Sequence, residues 1–167
     1  SGGGVDPWSR GRPRAASTPH VESVRATLPD AMPVLAAADA IVSFGPLDGL
    51  ARWLSTLAQA PASVVVATSS MSAVSKRDSG VPEDRAIAAR LLQGEAALQR
   101  ECARLGMRWT LLRPTMIYGV GRDRNLTPIA RRALRWRVFP LPPGHGLRQP
   151  VHAEDVARAA VSAMGNA

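Results

Sequence analysis

The chain has 167 residues, 46% of them hydrophobic, and a formal net charge of +8. That length supports one domain with a core of its own, and periodic apolar runs at this content exclude a chain that is disordered throughout. No run approaches the roughly eighteen uninterrupted apolar residues of a membrane span, so a soluble, cytoplasmic protein is the expectation.

In chain order, residues 1–19 are rich in Gly, Pro, Ser and Arg and read as largely loop. Within them, Val5, Trp8, Ser9 and Arg10 resemble the end of a strand followed by a basic turn. Val21, Val24 and Leu28 predict a short apolar-periodic segment, and Met32 to Ala38 a brief helical turn closed by Asp39. Ala40 to Phe44 (AIVSF) is predicted to be a buried strand cut by Gly45 and Pro46. Leu50, Trp53, Leu54 and Leu57 then repeat at helical spacing. Ser63 to Thr68 (SVVVAT) is predicted as a second strand, its three consecutive valines suiting a position hidden on both faces of a parallel sheet.

The longest helix is predicted from Pro82 to Leu105. Proline suits its first turn, Glu83 and Asp84 complement its positive end, and Gly106 stops it. Its apolar stripe is Ile87, Leu91, Leu98, Cys102 and Leu105. Trp109 to Leu112 is the third strand, and Val156, Ala160 and Met164 mark a final helix. Gly121, Asp123 and Asn125 read as turn-formers. Strands and helices therefore alternate, which predicts an α/β protein with a parallel sheet and helices on both faces.

The charge invites a nucleic-acid reading, since a basic footprint is the first sign of phosphate binding. Its make-up weakens that reading: the basic residues are twenty arginines and one lysine, Lys76, with few aromatics for base stacking. Between Arg104 and Arg137 there are nine arginines against one acid, Asp123. Arg131, Arg132, Arg135 and Arg137 follow LTPIA on a short helix, and a solvated face is favoured there over an anion site. The single cysteine, Cys102, reads as a small hydrophobe. No metal site is assigned.

Two strings carry the most information. LRPTMIYG, Leu112 to Gly119, runs from an apolar strand into an arginine-proline turn and a glycine. QPVHAEDVA, Gln149 to Ala157, places a histidine and two acids ahead of an alanine-rich helix. In this order they resemble the C-terminal half of the extended and atypical short-chain dehydrogenase/reductases, the sugar-nucleotide epimerase type of NAD(P)-binding protein. The resemblance covers roughly Val5 to Met164 and implies a Rossmann-like fold. In such sheets ligands meet the carboxyl ends of the strands, so three site-forming loops are expected side by side.

Carried over by position, the resemblance places Phe44 and Gly45 along the adenosine half of the cofactor. It places Ser69 or Ser70 at the reacting oxygen, with Ser70 as the catalytic candidate and Ser72 a poorer fit. Pro114, Thr115 and Met116 would lie against the nicotinamide, and Arg10 would select the 2′-phosphate of NADP. Gln149 and His152 fall where substrate is met, although a capping or packing role for His152 carries equal weight.

Two departures limit the inheritance. The family's phosphate-binding glycine loop joins its first strand to its first helix, whereas Gly2, Gly3 and Gly4 form a bare run. The expectation is a single partial NAD(P)-binding domain over residues 1–167, missing its first strand and helix and continuing downstream. NADP or NAD would then bind this piece weakly, and an unpaired sheet edge would favour a homodimer.

The second departure concerns the tyrosine four residues before a lysine that moves the proton in active members. The only tyrosine and lysine, Tyr118 and Lys76, are far apart and in the wrong order. The matching helix positions fall near Ala86 or Ile87 and Arg90 or Leu91, none of them a proton donor or acceptor at neutral pH. The spacing of Tyr118 to Arg122 imitates the pair but follows the wrong strand. Three readings follow: an NAD(P)-dependent epimerase, dehydratase or reductase acting on a small molecule such as a nucleotide sugar; a cofactor-binding protein with a structural or sensing role, which the missing pair favours; and a nucleic-acid-binding surface, favoured by charge alone.

Overall fold

The computed structural model describes residues 25–32, 38–119, 123, 126–138 and 149–166. The expectations for residues 1–19, including Arg10, and for Val21 and Val24 lie outside the described residues, as does most of the turn expected from Met32 to Ala38.

Three parallel strands form the sheet: β1 (Ala38–Ser43), β2 (Ala62–Thr68) and β3 (Arg108–Leu112), in the order β1-β2-β3. Ala40 pairs with Val64, and Val64 with Arg108. Every strand is within a residue or two of its predicted range. β1 is displaced most: it begins at Ala38, includes Asp39, and ends before Phe44. Its register explains this, because Ala38 pairs with Ala62 and its N–H donates to the Pro61 carbonyl at 3.2 Å, drawing two more residues into the ladder.

Helix α1 (Leu47–Ser55) follows β1, a single turn α2 (Ser72–Ser75) follows β2, and α3 (Pro82–Leu105) returns the chain to β3. The α3 boundaries agree with the sequence signals. Proline opens it, Glu83 and Asp84 stand in its first turn, and Gly106 closes it at φ 69°, a left-handed conformation that glycine adopts without steric cost. Beyond β3 come β4 (Ile117–Tyr118), α4 (Leu126–Trp136), β5 (Val151–His152) and α5 (Ala153–Asn166). β4 and β5 form a separate two-stranded parallel ladder, with Ile117 opposite Val151.

The sheet has helices on both faces. Val65 and Ala67 of β2 join Leu50, Leu54, Leu98 and Cys102 in the larger core, beneath α1 and α3. Val64 and Val66 point the other way and pack with Ala160 of α5. The valine run is therefore hidden on both sides, as central parallel strands are. Glycine lets α1 and α3 approach: a Cβ built on Gly94 would stand 3.2 Å from the Leu47 Cβ. Arg104 of α3 donates to the carbonyls of Leu54 and Leu57 at 2.8 and 3.1 Å, meeting the negative end of α1 with a cation. Among the described residues no helix is long and apolar enough to cross a membrane, and no group of His, Cys, Asp and Glu is arranged to hold a metal.

Candidate functional site

Because β1, β2 and β3 are parallel and adjacent, their carboxyl ends deliver three loops to one edge of the sheet. These loops are Phe44–Pro46, Ser69–Met71 and Arg113–Met116. Backbone hydrogen bonds tie the second to the third: the Ser69 N–H donates to the Leu112 carbonyl at 2.8 Å, and the Met71 N–H to the Pro114 carbonyl at 3.0 Å.

A cavity of about 820 Å³ opens at the first two loops and runs along the groove between α1 and α3. Its volume lies within the range of small-molecule sites. Phe44, Gly45 and Pro46 line its mouth with Thr68 and Ser69. Ile87, Leu91, Gly94 and Ala97 of α3 form a largely apolar wall, while Arg52, Arg90 and Arg100 supply cations and Asp48 and Glu101 carboxylates, Arg52 pairing with Asp48 at 3.6 Å. Phe44 is 58% exposed, leaving its ring free to meet a flat ligand. Phe44, Gly45 and Ser69 are thus brought together.

Ser70 stands elsewhere. Its hydroxyl oxygen accepts the Ser72 N–H at 3.2 Å at the head of α2, leaving its own O–H able to donate. Pro114, Thr115 and Met116 belong to a second group. The Thr115 hydroxyl donates to the Gln149 carbonyl in a short hydrogen bond, and the Val151 N–H donates to the Met116 carbonyl at 2.9 Å.

His152 completes this second group. Its Nδ1 accepts the Glu154 N–H at 3.3 Å, within the first turn of α5, and its ring meets Tyr118 edge-on with centroids 5.2 Å apart. A Cβ on Gly119, where φ is 135°, would lie 2.9 Å from the His152 Nε2. The contacts of this histidine within the chain are thus capping and packing contacts. Tyr118 and Lys76 are also separated by their partners: Tyr118 meets His152 edge-on, while the Lys76 ammonium pairs with Asp84 at 2.6 Å. That ion pair, first, and the Ser79 hydroxyl hold the Asp84 carboxyl below its ordinary value.

The sequence reading passed over Glu95. It is 2% exposed, and Arg113 grips both its oxygens, Nε to Oε1 at 2.9 Å and Nη2 to Oε2 at 2.5 Å. The guanidinium holds this carboxyl below the usual carboxylate value, burial pushes it up, and the nearby Ser69 hydroxyl helps lower it. The Ser69 oxygen is itself buried and has no hydrogen bond of good geometry. A signal was present: Gly94 and Glu95 interrupt the apolar stripe between Leu91 and Leu98, and an acid on the inner face of a helix needs a cation. Asp123 also gains a role, because its carboxylate accepts the N–H groups of Leu126 and Thr127 at 2.6 and 2.9 Å and caps α4.

The donor set suits the base-and-ribose portions of a dinucleotide: an exposed aromatic ring, apolar walls, hydroxyls and arginines. Among the described residues there is no glycine-rich strand-to-helix turn of the kind that receives a pyrophosphate.

Two solved structures are similar in fold. UDP-glucuronic acid 4-epimerase from Bacillus cereus, crystallised as a tyrosine-to-phenylalanine mutant with UDP-4-deoxy-4-fluoro-glucuronic acid and NAD, matches at TM-score 0.56 and 16% identity over 70% of this chain. The capsular polysaccharide assembling protein CapF from Staphylococcus aureus matches at TM-score 0.58 and 16% identity over 78% of this chain. The chain spans only 40% and 37% of their respective lengths. No curated protein matches the chain. The family model for the NAD dependent epimerase/dehydratase family matches residues 48–167, from the first turn of α1 through α5. The chain belongs to the NAD dependent epimerase/dehydratase family.

Proposed function

We propose that the protein binds NAD or NADP at the carboxyl ends of β1, β2 and β3, next to a nucleotide-sugar ligand, and does not run the family's tyrosine–lysine proton relay. The observation that carries this reading is the apolar wall of α3. The family resemblance puts the relay near Ala86 or Ile87 and Arg90 or Leu91; of these, Ile87, Arg90 and Leu91 line the cavity with Ser69, and Ile87 and Leu91 have the relay's spacing of four. Neither side chain can hold or move a proton at neutral pH.

In this reading Phe44 and Gly45 pass the adenosine half of the cofactor, and Pro114, Thr115 and Met116 lie against the nicotinamide. When bound, the nicotinamide supplies hydride exchange. Ser69 and Ser70 would orient an oxygen of the second ligand, Ser70 with the O–H left free by its bond from the Ser72 N–H. Gln149 and His152 would meet the same ligand, His152 with its ring set by Glu154 and Tyr118. Arg10 would choose NADP over NAD. A nucleotide sugar is assigned as the ligand class because the Bacillus cereus relative was crystallised with one.

The test uses the full-length protein. NADH and NADPH titrations by calorimetry are expected to saturate, while turnover over a panel of UDP-sugars stays at background. Absence of binding to either nucleotide refutes the reading. Robust epimerisation or reduction overturns the part of it that concerns the relay.

A further inference from the structure

Glu95 is the one buried charged side chain among the described residues. A buried carboxylate is costly unless fully paired, and an apolar pair of similar volume often supports a fold equally well. Stability is therefore a poor account of why an acid stands on the inner stripe of α3.

Its surroundings give a better one. The planar fork of Arg113 fixes both the position and the plane of the first residue after β3. From there the Pro114 carbonyl accepts the Met71 N–H, and the Leu112 carbonyl accepts the Ser69 N–H. The Ser69 hydroxyl is buried. Further on, Thr115 and Met116 hold Gln149 and Val151. One acid on a rigid helix is thus joined, directly or through one neighbour, to the loops after β2 and β3.

We infer that Glu95 is a positioning residue: through Arg113 it sets the loops after β2 and β3 relative to each other and to α3. Its consequence for ligand binding rests on the function proposed above, whereas its consequence for the loops does not.

The full-length protein is compared with E95Q, R113K and the apolar double variant E95L/R113M. Hydrogen exchange is followed at the Ser69 and Met71 amides, and at the Val64–Ala67 amides of β2 as the reference. In E95Q the two loop amides are expected to lose clearly more protection than β2, whose own loss reports only the change in global stability. R113K, which retains the charge without the fork, should lose part of that loop protection. The double variant should melt close to the parent yet show the same local loss. NADH affinity should fall about tenfold in E95Q and in the double variant, the order of effect seen when a contact supporting a binding residue is removed.

Equal loss of protection across β2 and the loops would reduce Glu95 to a general stabiliser and overturn the inference. Unchanged loop protection in both E95Q and the double variant would do the same. If the parent protein binds no NADH, the proposed function fails and the exchange comparison alone decides the role of Glu95.

Discussion

At the scale of single residues, charge is used inside this protein more than its surface arithmetic suggests. Arg104 and Arg113 belong to the arginine-rich stretch from Arg104 to Arg137, yet one caps α1 and the other neutralises Glu95. Cys102 behaves as the small hydrophobe its position predicts, and burial pushes its thiol up to about 11. The pH dependence follows from Glu95. Because its folded-state value is lowered from 4.5, its ionised form adds stability above the unfolded value, and this is lost as pH falls through the lower folded value. Urea unfolding between pH 7 and pH 3 is therefore expected to show E95Q less stable than the parent by about 2 kcal/mol at pH 7, since a buried charged hydrogen-bond partner is removed. The difference should shrink below pH 4.5, and a constant gap down to pH 3 contradicts this account.

At the scale of elements, α3 is the member on which the others depend. Its inner stripe fills the core through Leu98 and Cys102, its glycine admits α1, its acid holds Arg113, and its Ile87 and Leu91 face the cavity. Gly94→Val is expected to force α1 away from α3, because even a Cβ would meet Leu47 at 3.2 Å. The overpacking should cost about 1–3 kcal/mol in a denaturant melt. Equal or greater stability would mean that the contact has room to relax. By contrast, α4 buries none of its side chains among the described residues, and Leu134 and Trp136 are 82% and 62% exposed. Its boundaries come from local signals, chiefly the Asp123 cap.

For the molecule as a whole, the larger core beneath α1 and α3 is what joins sheet, helices and site. Leu98 is fully buried within it, in one cluster with Leu50 and Leu54 of α1 and Val65 of β2. Leu98→Ala is expected to lower unfolding free energy by about 2–5 kcal/mol, the range for a leucine cavity in a packed core. A loss below about 1 kcal/mol would show that this core is not the main support of the domain. The same architecture brings three strand ends to one edge, and the cavity opens there and continues between α1 and α3. The fold thus places the apolar wall of α3 beside Ser69 of the loop after β2.

What the sequence determined by itself was local and periodic. The α3 limits follow from Pro82, the acids after it and Gly106; the strands follow from their β-branched runs; the family resemblance follows from two strings that fall at a strand end and a helix start. Tertiary structure decided what depends on partners distant in the chain. Ile117–Tyr118 and Val151–His152 are too short to signal strands, and only their mutual pairing makes them one ladder. Glu95 looks like a break in an apolar stripe until β3 delivers Arg113, eighteen residues on, to its carboxylate. The ring contact of His152 with Tyr118 has no trace in the sequence until the fold sets β4 beside β5. The reason is the same in each case: backbone propensity and apolar period act within a few residues, whereas ladder pairing, buried ion pairs and ring contacts exist only once the sheet has brought separate segments together.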